Sequence, residues 1–150
     1  IGPTAWSGDA RKQNHIRRRF YLLGQTLDGM RVHDVVRSAK ALRGVDGFAK
    51  TPLWMQAHGH MAANVLYASL FTPKVTRLDL HDLPTTHMKG PAYLRVMDHL
   101  DLKQAVALAV DRCRVVLYQP EAKYDPFPAQ VAEALGLGKK AFSVRQPVRD

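Results

Sequence analysis

Four short apolar runs dominate the pattern of this chain: Leu53-Trp54-Met55-Gln56-Ala57, Val75 to Leu80, Val115-Val116-Leu117-Tyr118 and Ala141-Phe142-Ser143-Val144. Each has the length of a buried strand, and Pro52, Pro84, Pro120 and Gly138 punctuate them. The intervening segments have helical spacing instead. Met61, Val65 and Ala68 fall on one face over 61–70, with Leu66 and Leu70 beside them. Residues 91–110 read as two helical segments. The second carries the stripe Leu102, Ala105, Val106 and Ala109, and Asp101 with Gln104 forms a capping box ahead of it. Phe127 to Leu135 predicts a shorter helix stopped at Gly136 and Gly138. Upstream, Val32, Val35, Val36, Ala39 and Leu42 make one apolar helix stripe, ended by Gly44 and Gly47. Strands alternating with helices imply βαβ units joined by right-handed crossovers. The fold class is therefore α/β: a three-layer sandwich, helices on both faces of a mostly parallel sheet of about four strands.

At 150 residues the chain has the length of one domain, 1–150, with residues 1–29 expected as a lead-in loop holding one helical turn and 30–150 as the alternating region. An apolar share of 46% against 23% charged excludes wholesale disorder. No apolar run approaches the roughly 20 residues of a membrane-spanning helix, so no membrane partner is expected. The 22 Lys and Arg outnumber 13 Asp and Glu, for a formal charge of +9. Arg17-Arg18-Arg19 could serve a basic polyanion-binding module. The simpler reading is a solvated stretch, because three adjacent arginines cannot share one helix face, and no nucleic-acid partner is expected. No glycine-rich phosphate motif is present, and no cofactor is expected.

The sharpest local feature is the turn Ala57-His58-Gly59-His60-Met61, where a strand passes at once into a helix. That is the backbone pattern of a nucleophile elbow, which places a serine at the apex with small residues two positions either side. Here Gly59 occupies the apex, Ala57 is small, and Met61 is not. A glycine cannot attack a carbonyl, so covalent serine chemistry has no nucleophile at this turn.

The segments RRRFYLLGQTLDGMRVHDVVRSAKAL, PLWMQAHGHMAANVLYASLF and VTRLDLHDLP resemble the second half of an α/β-hydrolase. The likeness is to bacterial acetyl-xylan-esterase-like and prolyl-oligopeptidase-like proteins, and it runs from about Ile1 to Val144. The resemblance implies a partial α/β-hydrolase fold related to carboxylic-ester hydrolases. It puts the nucleophile position on Gly59, one oxyanion donor on the N–H of His60, and the triad acid on Asp125, with Glu121 as the fallback. The family's histidine follows the last strand, but residues 145–150 contain none. An inactive hydrolase-fold protein is implied. Activity through residues outside this chain, or through a bound metal, is the alternative. The chain begins at Ile1 without a Met or a leader, which suggests a piece of a longer polypeptide. Its partner would then be a missing amino-terminal half, or a second copy meeting the bare edge of the strand at 53–57.

His58, His60, His81 and His87 are weak metal candidates, since loops after neighbouring strands converge in such folds. Their spacing matches no metal motif. The simpler expectation is polar residues at a vestigial pocket, with His81 or Asp82 capping a strand end. His15, His33 and His99 read as surface residues. Cys113 precedes a strand and reads as core, not as a nucleophile. Trp54 is expected against a helix, and Met55, Met61 and Met97 as core filling.

Overall fold

The computed structural model describes residues 9–147. Its elements run α1 (Ala10–Leu22), α2 (Leu27–Arg43), β1 (Leu53–His58), α3 (His60–Phe71), β2 (Val75–His81), α4 (Leu102–Val110), β3 (Arg114–Tyr118), α5 (Phe127–Ala134) and β4 (Phe142–Arg145). The strands lie side by side in chain order, each pair parallel, which is the α/β class that the alternation implies.

The lead-in expected as loop, 1–29, is largely helical within the described residues. Asp9 caps α1 by accepting the Lys12 N–H at 2.8 Å, and Thr26 caps α2 by accepting the Gly29 N–H at 2.8 Å. Local capping and good helix formers therefore make α1, although none of its residues is buried and no apolar stripe announces it. Of the two helical segments expected over 91–110, only α4 is an α-helix; the first shrinks to a 3-10 turn at Val96–Asp98. The Asp101–Gln104 capping box at the start of α4 is formed on both sides.

A strand order that never reverses keeps right-handed crossovers on one side of the sheet. Consistent with this, α2, α3, α4 and α5 pack in a row, each against the next. The core lies between that row and one face of the sheet. Leu66, Leu78, Leu80, Leu102 and Leu117 are fully buried there, each contributing about 1.5–3 kcal/mol by transfer. The helices expected over the second sheet face are not among α2–α5.

That second face carries mostly polar and charged side chains, with Trp54 and the fully buried Val116 among them. Strand alternation turns Leu53, Met55 and Ala57 of β1 to the core and Trp54, Gln56 and His58 away from it. Trp54, expected against a helix, is thus 62% exposed, with the Arg77 guanidinium 4.4 Å from its ring centre. Arg77 also pairs with Asp79, its neighbour on this face, at 2.9 Å. Met55 does pack against the core, but Met61 and Met97, expected there too, are exposed. Met61 is the second residue of α3 and borders a groove shared with α2 and β1, and Met97 lies in the 3-10 turn rather than on a helix stripe.

Among the described residues no strand pairs with the outer side of β1. The Gly59 N–H donates to the His81 carbonyl at 2.8 Å, which sets the parity. Odd positions of β1 face β2, and the backbone N–H and C=O of Trp54, Gln56 and His58 point outward. Beside that edge, an apolar groove of about 390 Å³ opens between α2 and β1, lined by Val35, Ala39, Leu42, Leu53 and Met55 among others. Such an edge invites strand addition. Light scattering across a concentration series should show the mass of the chain rising with concentration. Gln56→Lys, which sets like charges opposite each other in a symmetric strand pair, should suppress the rise. A single monomeric mass throughout would contradict this.

Candidate functional site

The carboxyl ends of β1, β2 and β3 form a crest. Gly59 stands on it at φ 58° and ψ −131°, a backbone position closed to most side chains, and α3 begins at the next residue. A Cβ built on Gly59 would meet no atom within 4 Å, so only the backbone twist, not crowding, demands glycine. The His60 N–H opens the first turn of α3, where no intrahelical acceptor exists for it.

Asp82, at the end of β2, also has a positive φ, of 48°, and its N–H donates to the Tyr118 carbonyl at 2.9 Å. Asp is among the few side-chain-bearing residues that adopt this left-handed conformation readily. It accompanies a contact across the crest: the Asp82 carboxylate accepts from Nε2 of His58 at 2.5 Å. Asp82 therefore engages a neighbouring histidine. The same pairing orients the imidazole of His58.

The other candidate histidines are engaged separately. His60 Nε2 donates to the Lys89 carbonyl at 3.1 Å, and His81 Nε2 accepts from the Gln56 amide at 3.1 Å while its ring stacks on Tyr118. His87 is buried: Nδ1 donates to the Pro91 carbonyl at 3.2 Å, which leaves Nε2 to accept the Tyr67 hydroxyl at 2.7 Å. The four do not converge. Among the described residues no group of three or more His, Cys, Asp or Glu side chains is placed to hold a metal ion.

Asp125 lies in the loop after β3. One of its carboxylate oxygens accepts the Phe127 N–H at 2.9 Å, which fixes the entry to α5, and the other pairs with Lys103 at 3.2 Å. Glu121 is exposed and lies 3.7 Å from Lys123. Neither acid is paired with a histidine. Cys113 packs against the core, and burial pushes its thiol up to about 11, with Arg112 opposing weakly. A thiol held protonated is a poor nucleophile.

One cluster was invisible as a motif. Asn64 is fully buried in the otherwise apolar stretch of α3; its side-chain oxygen accepts from the Tyr93 hydroxyl and its amide reaches Asp28 of α2 at 3.5 Å. Asp28 also accepts the Ala92 N–H at 3.1 Å and pairs with Arg31 at 3.0 Å. Tyr67, His87 and Tyr93 lie against one another, with ring centres 5.0–5.5 Å apart. Burial pushes both phenols well above their usual range, Asp101 adding to the effect at Tyr67 and Asp28 at Tyr93. Asp101 completes the cluster by accepting the His87 and Leu102 N–H groups, both at 2.7 Å. This network clamps the segment 84–101 onto α2, α3 and α4. A lone Asn amid apolar helix positions is the one sequence signal that could have pointed to it.

Comparison with models of protein families, with curated proteins and with solved structures finds no match to this chain. No helix among the described residues is long and apolar enough to cross a membrane.

The Asp101 carboxyl makes the clamp sensitive to acid. Burial raises its pKa, but hydrogen bonds from the Thr86 hydroxyl and the His87 and Leu102 N–H groups outweigh this, and the net shift is downward. A carboxyl depressed in the folded state adds stability above its unfolded value of about 3.9, and that stability is lost as pH falls through the folded value. Asp101→Ala should therefore cost about 1–2 kcal/mol at neutral pH. In urea unfolding the gap from the unsubstituted protein should narrow below about pH 4. A gap independent of pH would contradict the assignment.

Proposed function

We propose that this chain is a hydrolase-fold protein, related to carboxylic-ester hydrolases, whose serine chemistry has been lost. The observation that carries the reading is Gly59. Its backbone makes the one-residue passage from a parallel strand into a helix that an elbow nucleophile requires, and it has no side chain to attack with. The surrounding side chains support the loss. A serine triad needs a nucleophile beside its histidine and acid; the histidine–acid pair at the turn, His58 with Asp82, has no serine at Gly59 to act on, and the Asp125 carboxylate accepts the Phe127 N–H and pairs with Lys103. A crest so arranged retains a donor for an oxyanion, in the His60 N–H, without a group to generate one.

Hydrolysis of p-nitrophenyl acetate tests the proposal. The protein should not exceed the buffer rate, and Asp125→Ala should leave that rate unchanged. Gly59→Ser should fold, since its Cβ has room, at a backbone cost of roughly 1–2 kcal/mol, and should remain inactive because the expected triad acid, Asp125, pairs with Lys103 and not with a histidine. Turnover well above buffer that Asp125→Ala abolishes would overturn the reading. So would turnover that a chelator removes and zinc restores, which would assign the chemistry to a bound metal.

A further inference from the structure

The most strongly charged segment of the chain takes no part in the crest. Helix α1 holds Arg11, Lys12, Arg17, Arg18 and Arg19 and no acid. Asp9 just before the helix is spent on its cap, and the next acid in the chain is Asp28. Among the described residues none of these five cations forms an ion pair.

The helix also sorts its side chains. Gln13, Ile16 and Phe20 are half-buried at i, i+3 and i+7 and form the inner side. Arg11, His15, Arg18, Arg19 and Leu22 follow at i, i+4, i+7, i+8 and i+11, with Lys12 at the margin, and form the outer side. Arg18 and Arg19 thus share a face, and only Arg17 of the triplet points away. The three arginines do not all share one face, as expected, but Arg11, Lys12 and His15 from a turn earlier complete the face that Arg18 and Arg19 begin.

Like charges at this spacing destabilise a helix, and cations in the first turn oppose its dipole. An anionic surface would relieve both effects. The chemistry of that surface is indicated by the end of the helix. Leu22 is 86% exposed and Leu23 73% exposed, directly after the arginines, and Tyr21 is exposed as well. A nucleic-acid backbone offers nothing to two leucines. A bilayer offers phosphates to the arginines and acyl chains to the leucines at one depth.

We propose that α1 docks on the surface of an anionic phospholipid bilayer, with Arg11, Lys12, Arg18 and Arg19 against the headgroups and Leu22 and Leu23 inserted between them. The helix lies on the surface and does not span it. The proposal is independent of the chemistry at Gly59, since it draws on no residue of the crest.

Co-sedimentation of the full chain with vesicles tests it. Binding should occur with vesicles of phosphatidylcholine and phosphatidylserine, should be near background with phosphatidylcholine alone, and should weaken as salt is raised. The paired variants Arg18→Glu/Arg19→Glu and Leu22→Ser/Leu23→Ser should each lower partitioning by about tenfold or more. All four positions are solvent-exposed, so both variants should keep the thermal melt of the unsubstituted chain. Equal binding to both kinds of vesicle, or none, would overturn the proposal. So would tighter retention on duplex DNA of matched charge that the leucine variant leaves unchanged, which would assign the helix to nucleic acid.

Discussion

The passage from β1 into α3 through one residue is the constraint on which the rest of the architecture depends. With Gly59 at a positive φ, the last strand residue and the first helix residue are separated by a single position, and α3 returns directly over the sheet. Every later layer is built on that helix: α2 and α4 flank it, and it covers β1 and β2. The turn has a chemical consequence as well as a geometric one. It presents the apex of the chain to solvent at the carboxyl end of a parallel sheet, where open α/β folds bind ligands, and at that apex this chain has only a backbone.

The polar groups around the crest do structural work that would otherwise need hydrophobic cover. His58 with Asp82, and His81 with Gln56 and Tyr118, join the ends of β1, β2 and β3 across the outer sheet face. Behind them, the buried cluster of Asn64, Tyr93, Tyr67, His87 and Asp101 fastens the long β2–α4 connection. A buried Asn with no partner would cost about 1–3 kcal/mol, so this side chain is tolerable only because Tyr93 and Asp28 meet it. Such networks specify one arrangement of a loop more sharply than apolar contacts do. The histidines that stand out in the sequence are therefore accounted for singly, each by a different neighbour.

The regular part of the fold was legible because burial imposes periodicity. The strands at 53, 75, 115 and 142, the helices α3, α4 and α5, and the capping box at Asp101 all follow from apolar spacing and punctuation. Where burial is absent the spacing is silent. Helix α1 has no fully buried residue and only Ile16 and Phe20 as half-buried apolar positions, so the spacing reads as loop. Trp54 misled for a related reason: its apolar character implied the core, but the parity of β1 turns it to the polar face. At the crest, the sequence located Gly59 at the turn and so the absence of a side chain at its apex. It did not reveal that Asp82 would hold His58, or that Asp125 would serve α5, because both depend on loop conformation and on partners distant in the chain.

The central claim is that the turn at Gly59 has the form of an elbow and none of its chemistry. Incubation with a fluorophosphonate, which labels activated serines covalently, tests this most directly when followed by intact-mass spectrometry. The chain has serines only at positions 7, 38, 69 and 143, none of them at the turn. The account predicts an unchanged mass. A stoichiometric adduct on any of these serines would contradict it.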